Sequence, residues 1–235
     1  GGNEQTISPG GWTMMIHKSA VFDWEAVDQA TNVGQANVWR SATGTKAMPN
    51  GDLAVAGLGD CTADGAYVYY SGGSAVDGSS TDLYVAKSDG TGSMKVATGG
   101  KVDTTGDTSV CSTHAALDAK NNLIAIVCGK GDNGGDALVA IDPATGKSTK
   151  LAGNVGIWFV TDPNGKYVLA NDNSGKLSLY PIDGSAAIAV DKDVTDNQAI
   201  FLQDGSAVLY ITTGGALKRA TVGMAPAPVT LVAAN

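Results

Sequence analysis

Short apolar or aromatic runs alternate along the chain with polar clusters of Gly, Asp, Asn and Ser, a pattern of many short strands joined by tight turns. Turn tetrads precede the runs at Ser8-Pro9-Gly10-Gly11, Thr62-Ala63-Asp64-Gly65, Asp118-Ala119-Lys120-Asn121 and Asp162-Pro163-Asn164-Gly165, and Gln203-Asp204-Gly205 repeats the motif. After each comes a run that reads as the second strand of a hairpin: Trp12 to Ile16, Tyr67 to Tyr70, Leu123 to Val127, Tyr167 to Ala170 and Ala207 to Ile211. A polar loop and a third run come next, as at Leu83-Tyr84-Val85 or Leu177-Ser178-Leu179-Tyr180. A second turn, such as Asp142-Pro143-Ala144-Thr145-Gly146, then leads to a fourth run.

Four antiparallel strands per unit, five times over, predict an all-β chain of β-propeller blades, with approximate units 1–54, 55–107, 108–152, 153–194 and 195–235 in a single domain. One small sheet cannot bury both its faces, so neighbours stack face to face around an axis. Five visible repeats make either a closed five-bladed ring or part of a larger propeller. A β-sandwich is the alternative, but it gives no reason for the same turn chemistry to recur in the same order.

The units resemble the TolB-like, or WD-like, β-propeller repeats of bacterial envelope proteins, in which an apolar strand is followed by Ser-Pro-Asp-Gly and then Lys-aromatic-apolar. Thr161-Asp162-Pro163-Asn164-Gly165-Lys166-Tyr167-Val168 matches that pattern best, then Ser8-Pro9-Gly10-Gly11-Trp12 and Asp204-Gly205-Ser206. The similarity covers roughly residues 4 to 235. It departs at Asp118, where both Pro and Gly are lost, and in the first unit, where Asp23 to Gln35 reads as irregular. The resemblance implies a periplasmic, cell-surface or secreted setting, and no functional residue of the family maps onto a position here.

Composition narrows the function. With 15 Lys plus Arg against 23 Asp plus Glu, the net charge of −8 argues against nucleic acid as the main partner, which needs a basic face. Gly reaches 32 of 235 residues while Pro is only 7, and Phe, Trp and Tyr number 3, 4 and 7, so a core must be built from small side chains. No apolar stretch is long enough for a transmembrane helix. The polar start Gly1-Gly2-Asn3-Glu4 fits a chain from which a signal peptide has been cleaved, or one anchored by a lipid-modified cysteine upstream of Gly1.

Candidate chemistry is sparse. His17 and His114 are isolated, and no CxxC, HExxH, GxSxG or P-loop spacing occurs. Cys111 and Cys128 sum to 239, as do the ends of the turn Asp118–Asn121, so they are expected to oppose each other and form a disulfide, with Cys61 a buried free thiol. Seven residues before each turn's end stand Glu4, Leu58, His114, Trp158 and Gln198. If first strands are innermost, Glu4, His114, Trp158 and Gln198 form a candidate ligand ring at the channel mouth. Loops between second and third strands, with the entrances to first strands, carry Asp77, Asp107, Asp132, Asp136, Asp172 and Asp196 and little base besides Lys130. This predicts an acidic face for a cationic or neutral partner. Asp132 and Asp136 are also candidate Ca²⁺ ligands, since that ion takes carboxylate and carbonyl oxygens. The leading expectation is a non-enzymatic binding or scaffold propeller that recognises a protein or cell-surface polymer. The alternatives are a carbohydrate-active lyase or hydrolase using His114, and a structural subunit that self-associates through open blade faces.

Overall fold

Alternation of apolar and polar residues between Gly-, Asn- and Asp-bearing turns leaves the backbone no helical face to bury, and the chain folds into short antiparallel strands. The computed structural model describes residues 11–17, 20–28, 33–40, 44–47, 58–62, 66–72, 82–87, 92–97, 115–127, 129–223 and 227–234. The chain divides into two compact units, Gly1–Thr113 with Pro143–Gly146, and His114–Asp142 with Lys147–Asn235.

The first unit holds two four-stranded sheets. One is β1 (Gly11–His17), β2 (Ala20–Asp28), β3 (Val33–Arg40) and β4 (Gly44–Ala47); the other is β5 (Leu58–Cys61), β6 (Tyr67–Gly72), β7 (Asp82–Lys87) and β8 (Met94–Ala97). The second unit holds three. They are β9 (Ala115–Leu117), β10 (Leu123–Val127), β11 (Asp136–Ile141) and β12 (Ser148–Val155); β13 (Phe159–Thr161), β14 (Tyr167–Asn171), β15 (Leu177–Pro181) and β16 (Ile188–Asp191); and β17 (Val194–Phe201), β18 (Ala207–Thr212), β19 (Leu217–Thr221) and β20 (Val229–Val232). Strands keep chain order in every sheet, which is how propeller blades are built. Five separate sheets exclude the sandwich, which would gather the strands into two.

The first sheet differs from the pattern expected of the sequence. Gly11–His17, expected to be a second strand, is the first, and the stretch expected to be irregular is largely β2 paired with β3. Asp23 and Glu25 break the apolar run there, which is why the stretch reads as irregular in the sequence.

In the second unit β14 shows how the sheets stack. Its Leu169 joins Leu177 and Leu179 in one core with Val208, Tyr210 and Ala220 of the fifth sheet. Val168 and Ala170 point the other way, into a second core with Ile124, Ile126 and Leu138 of the third sheet. Alternate residues of one strand thus serve two cores, and small side chains suit the narrow space between sheets.

The turns joining first to second strands share a device. Asp118 and Asp162 are buried, and each carboxylate accepts two backbone N–H groups: Asp118 Oδ1 from Lys120 and Asn122 at 2.8 and 2.9 Å, Asp162 from Asn164 and Lys166 at 2.9 and 3.1 Å. In the second sheet Thr62 Oγ1 takes the same place, accepting from Ala66 and Tyr67. Three residues on, Asn121 and Gly165 adopt φ of 67° and 59°, a left-handed conformation that Gly and Asn enter most readily.

Candidate functional site

First strands of the three sheets in the second unit converge on a pocket of about 230 Å³ lined by Ala115, Ala116, Ile157, Trp158, Phe159 and Asn197. The Gly156 N–H donates to the Asn171 carbonyl at 2.8 Å, which fixes the entry into β13. Trp158 is half-buried with its ring against the core between the fourth and fifth sheets, while Ile157 beside it is 64% exposed. Trp158 lines the pocket, whereas Gln198 does not, and its neighbour Asn197 does. The reason is a bulge: the ladder of β17 against β18 slips between Val194 and Ala199, and Asn197 sits at φ 58°. Asp196-Asn197 interrupting an apolar strand was the available signal. His114 lies outside the described residues. So does Glu4, and with Gly11–His17 as a first strand the alignment that put it in the ring does not hold for that sheet.

The opposite ends of these strands carry the Asp118 and Asp162 turns, so loops β10–β11 and β14–β15 lie at the Trp158 end. Asp132 opens a short 3₁₀ turn and accepts from Lys150 Nζ at 2.6 Å. Asp136 Oδ1 accepts from the Gly129 N–H at 3.0 Å. Asp172 Oδ1 accepts from the Ser174 hydroxyl and from the N–H groups of Ser174 and Lys176. Partial burial would raise the Asp172 pKa, but these hydrogen bonds outweigh it and hold the carboxyl below its ordinary value. Asp196 is in β17; Asp77 and Asp107 lie outside the described residues.

Lys150, Lys192 and Lys218 come to this end from other strands and loops, and Lys176 from the loop of Asp172 itself, so lysines stand beside the aspartates there. As calcium ligands Asp132 and Asp136 stand by themselves: among the described residues no three His, Cys, Asp or Glu side chains converge.

A polar network ties the fourth sheet to the fifth. Asp191 Oδ2, at the end of β16, accepts from Tyr210 Oη at 2.7 Å and from Lys218 Nζ at 2.8 Å. Burial acts to raise the Asp191 pKa, yet the Lys218 and Tyr210 hydrogen bonds prevail and lower it. Burial, then the bond to Asp191, pushes the Tyr210 phenol far above its ordinary range. Ile200, Val229, Leu231 and Val232 of the fifth sheet are exposed.

Cys111 and Cys128 lie outside the described residues, but the ladder between them is informative. Leu117 pairs with Leu123 and Ala115 with Ala125, so opposed residues sum to 240. The Asp118 N–H closes the turn on the Asn122 carbonyl, one residue later than the tetrad implies.

No protein-family model matches the chain, and no curated protein does. Solved structures do. One described as the eukaryotic initiation factor aligns at TM-score 0.63 and 10% identity, over 95% of this chain and 55% of that one. An oligogalacturonate lyase in complex with manganese aligns at 0.54 and 15%, over 87% and 62%. TolB from Acinetobacter baumannii aligns at 0.46 and 12%, over 86% and 49%. The chain thus spans about half the length of the TolB and initiation-factor structures. The likeness is one of fold, and the fold is the β-propeller. Among the described residues no helix is long and apolar enough to cross a membrane.

Proposed function

We propose that this chain is an exported, non-enzymatic binding propeller that captures a protein or cell-surface polymer at the Trp158 end of its sheets. The observation that carries this reading is the pocket itself: a large apolar side chain, Ile157, stands exposed beside a half-buried Trp158 where three first strands converge. Exposed apolar groups rimmed by charge suit recognition, the apolar centre supplying affinity and the rim orientation. The carboxylates nearby support binding over proton transfer. Asp132 is paired with Lys150, and Asp172 and Asp191 are held ionised by their own hydrogen bonds, whereas a general acid or base works best with a pKa near the operating pH. Export draws on the resemblance to repeats of envelope proteins.

The test is binding of wild type, Ile157→Ser and Trp158→Ala to arrayed envelope-protein peptides and purified cell-surface polysaccharides. The expected result is selective binding weakened at least tenfold in both variants. Ile157 makes no core, so its variant separates recognition from folding. Turnover of glycosides, polysaccharides or esters by the wild type, or the lack of any arrayed ligand whose binding falls in both variants, rejects the reading.

A further inference from the structure

At the other end of the same sheets a cleft of about 600 Å³ opens between the turn of the third sheet and the β15–β16 connection of the fourth. Its charge is opposite to that of the chain. Lys120 and Lys166 line it, and among the described residues the ion pairs are Lys150–Asp132 and Lys218–Asp191, so neither ammonium is neutralised by a carboxylate.

Both lysines are held by the fold. A Cβ at Gly165 would stand 2.8 Å from Lys120 Cγ, so the methylene stem of Lys120 lies across that glycine, directed by the absence of a side chain there. Lys166 is fixed on both sides of its peptide: its N–H donates to Asp162 Oδ2, and its carbonyl accepts the Ile182 N–H at 3.1 Å. Between them the cleft offers an apolar wall of Tyr167, Pro181 and Ile188, with Ser185 and Asp183 at its margin. Asn122 gives its Nδ2 to Asp118 and keeps its Oδ1 as an acceptor.

We propose that this cleft binds a carboxylate-bearing oligosaccharide, with Lys120 and Lys166 on its carboxylates, the Tyr167 wall under its ring faces, and Asn122, Asp183 and Ser185 on its hydroxyls. A lysine pair supplies point charges for anions, and an apolar wall beside side chains that both donate and accept matches the two-sided character of a sugar ring. An acidic peptide is the less suitable occupant. It would need its backbone groups met along its length, whereas β14 and β15 are interior strands whose N–H and C=O groups are spent in the ladder Tyr167↔Pro181 through Asn171↔Leu177, and of the edge strand β16 only Ile188 reaches the cleft.

This site is separate from the Trp158 pocket, so the two readings stand or fall apart. The experiment is calorimetric titration with a hyaluronan hexasaccharide, its carboxyl-reduced counterpart and a hexaglutamate peptide. The proteins are wild type, Lys120→Ala, Lys166→Ala, the double variant, and Lys192→Ala as a control of equal charge change at the far end. The proposal expects the hexasaccharide to bind, each single lysine variant to weaken it several-fold, the double variant and carboxyl reduction to abolish it, and Lys192→Ala and Ile157→Ser to leave it unchanged. It is overturned if the hexasaccharide fails to bind at millimolar concentration, if Lys192→Ala weakens it as much as the cleft variants, or if hexaglutamate binds as tightly.

Discussion

Asp191 joins two sheets through one oxygen, and its worth is measurable by titration. Its folded pKa lies below the ordinary carboxylate value, so its contribution is fully present above about pH 4 and is lost as pH falls through the folded value. Tyr210 has the opposite sign: with its phenol raised, its contribution holds below about pH 10 and is lost above it. Asp191→Asn should flatten the acid limb of a stability-against-pH curve, and Tyr210→Phe the alkaline limb. Asp191→Ala should cost about 1–3 kcal/mol at neutral pH, because it strands a buried hydroxyl. Urea denaturation from pH 3 to 11 is the measurement, and unchanged limbs would refute the assignment. None of this was legible in the sequence. Tyr210 and Lys218 lie 19 and 27 residues from Asp191, and meet it only because two particular sheets adjoin.

Turns are the elements that the sequence announced best, because their chemistry is local. Asp162-Pro163-Asn164-Gly165 reads as a turn from composition, and the structure adds why its first residue is an acid: the buried carboxylate satisfies two N–H groups that no strand can reach. The Asn164 Nδ2 also donates to the Asp204 carbonyl at 2.9 Å, joining this turn to the corresponding one of the fifth sheet. Asp162→Ala should therefore cost about 1–3 kcal/mol, and Asp162→Asn less, since one amide oxygen still accepts. Equal losses in urea midpoint would contradict this account. At Asp118 the turn closes one residue later than its composition implies, and opposed residues of β9 and β10 sum to 240 rather than 239. Before Gly11 the turn signal belongs to a different strand from the one expected, and a whole sheet is out of phase with the repeat.

At the scale of the molecule, the fold class was legible and the site only in part. Repetition fixes which residues face a core, and Leu169 and Leu179 do so, fully buried between the fourth and fifth sheets. Leu179→Ala should cost about 2–5 kcal/mol, the higher figure if the sheets do not close over the gap. Hydrogen exchange should show lost protection in both flanking sheets together, whereas a loss confined to β15 would mean that they unfold independently. The Trp158 pocket needed more than repetition, since a bulge in β17 exchanged Gln198 for Asn197 at its rim. The uninterrupted order of strands within each sheet has a consequence in time. Every ladder pairs residues close in sequence, and among the described sheets none awaits a strand drawn from another part of the chain. Within the second unit, a ribosome releasing the chain delivers one finished ladder after another, so the fourth and fifth sheets each emerge beside a completed face on which they can condense.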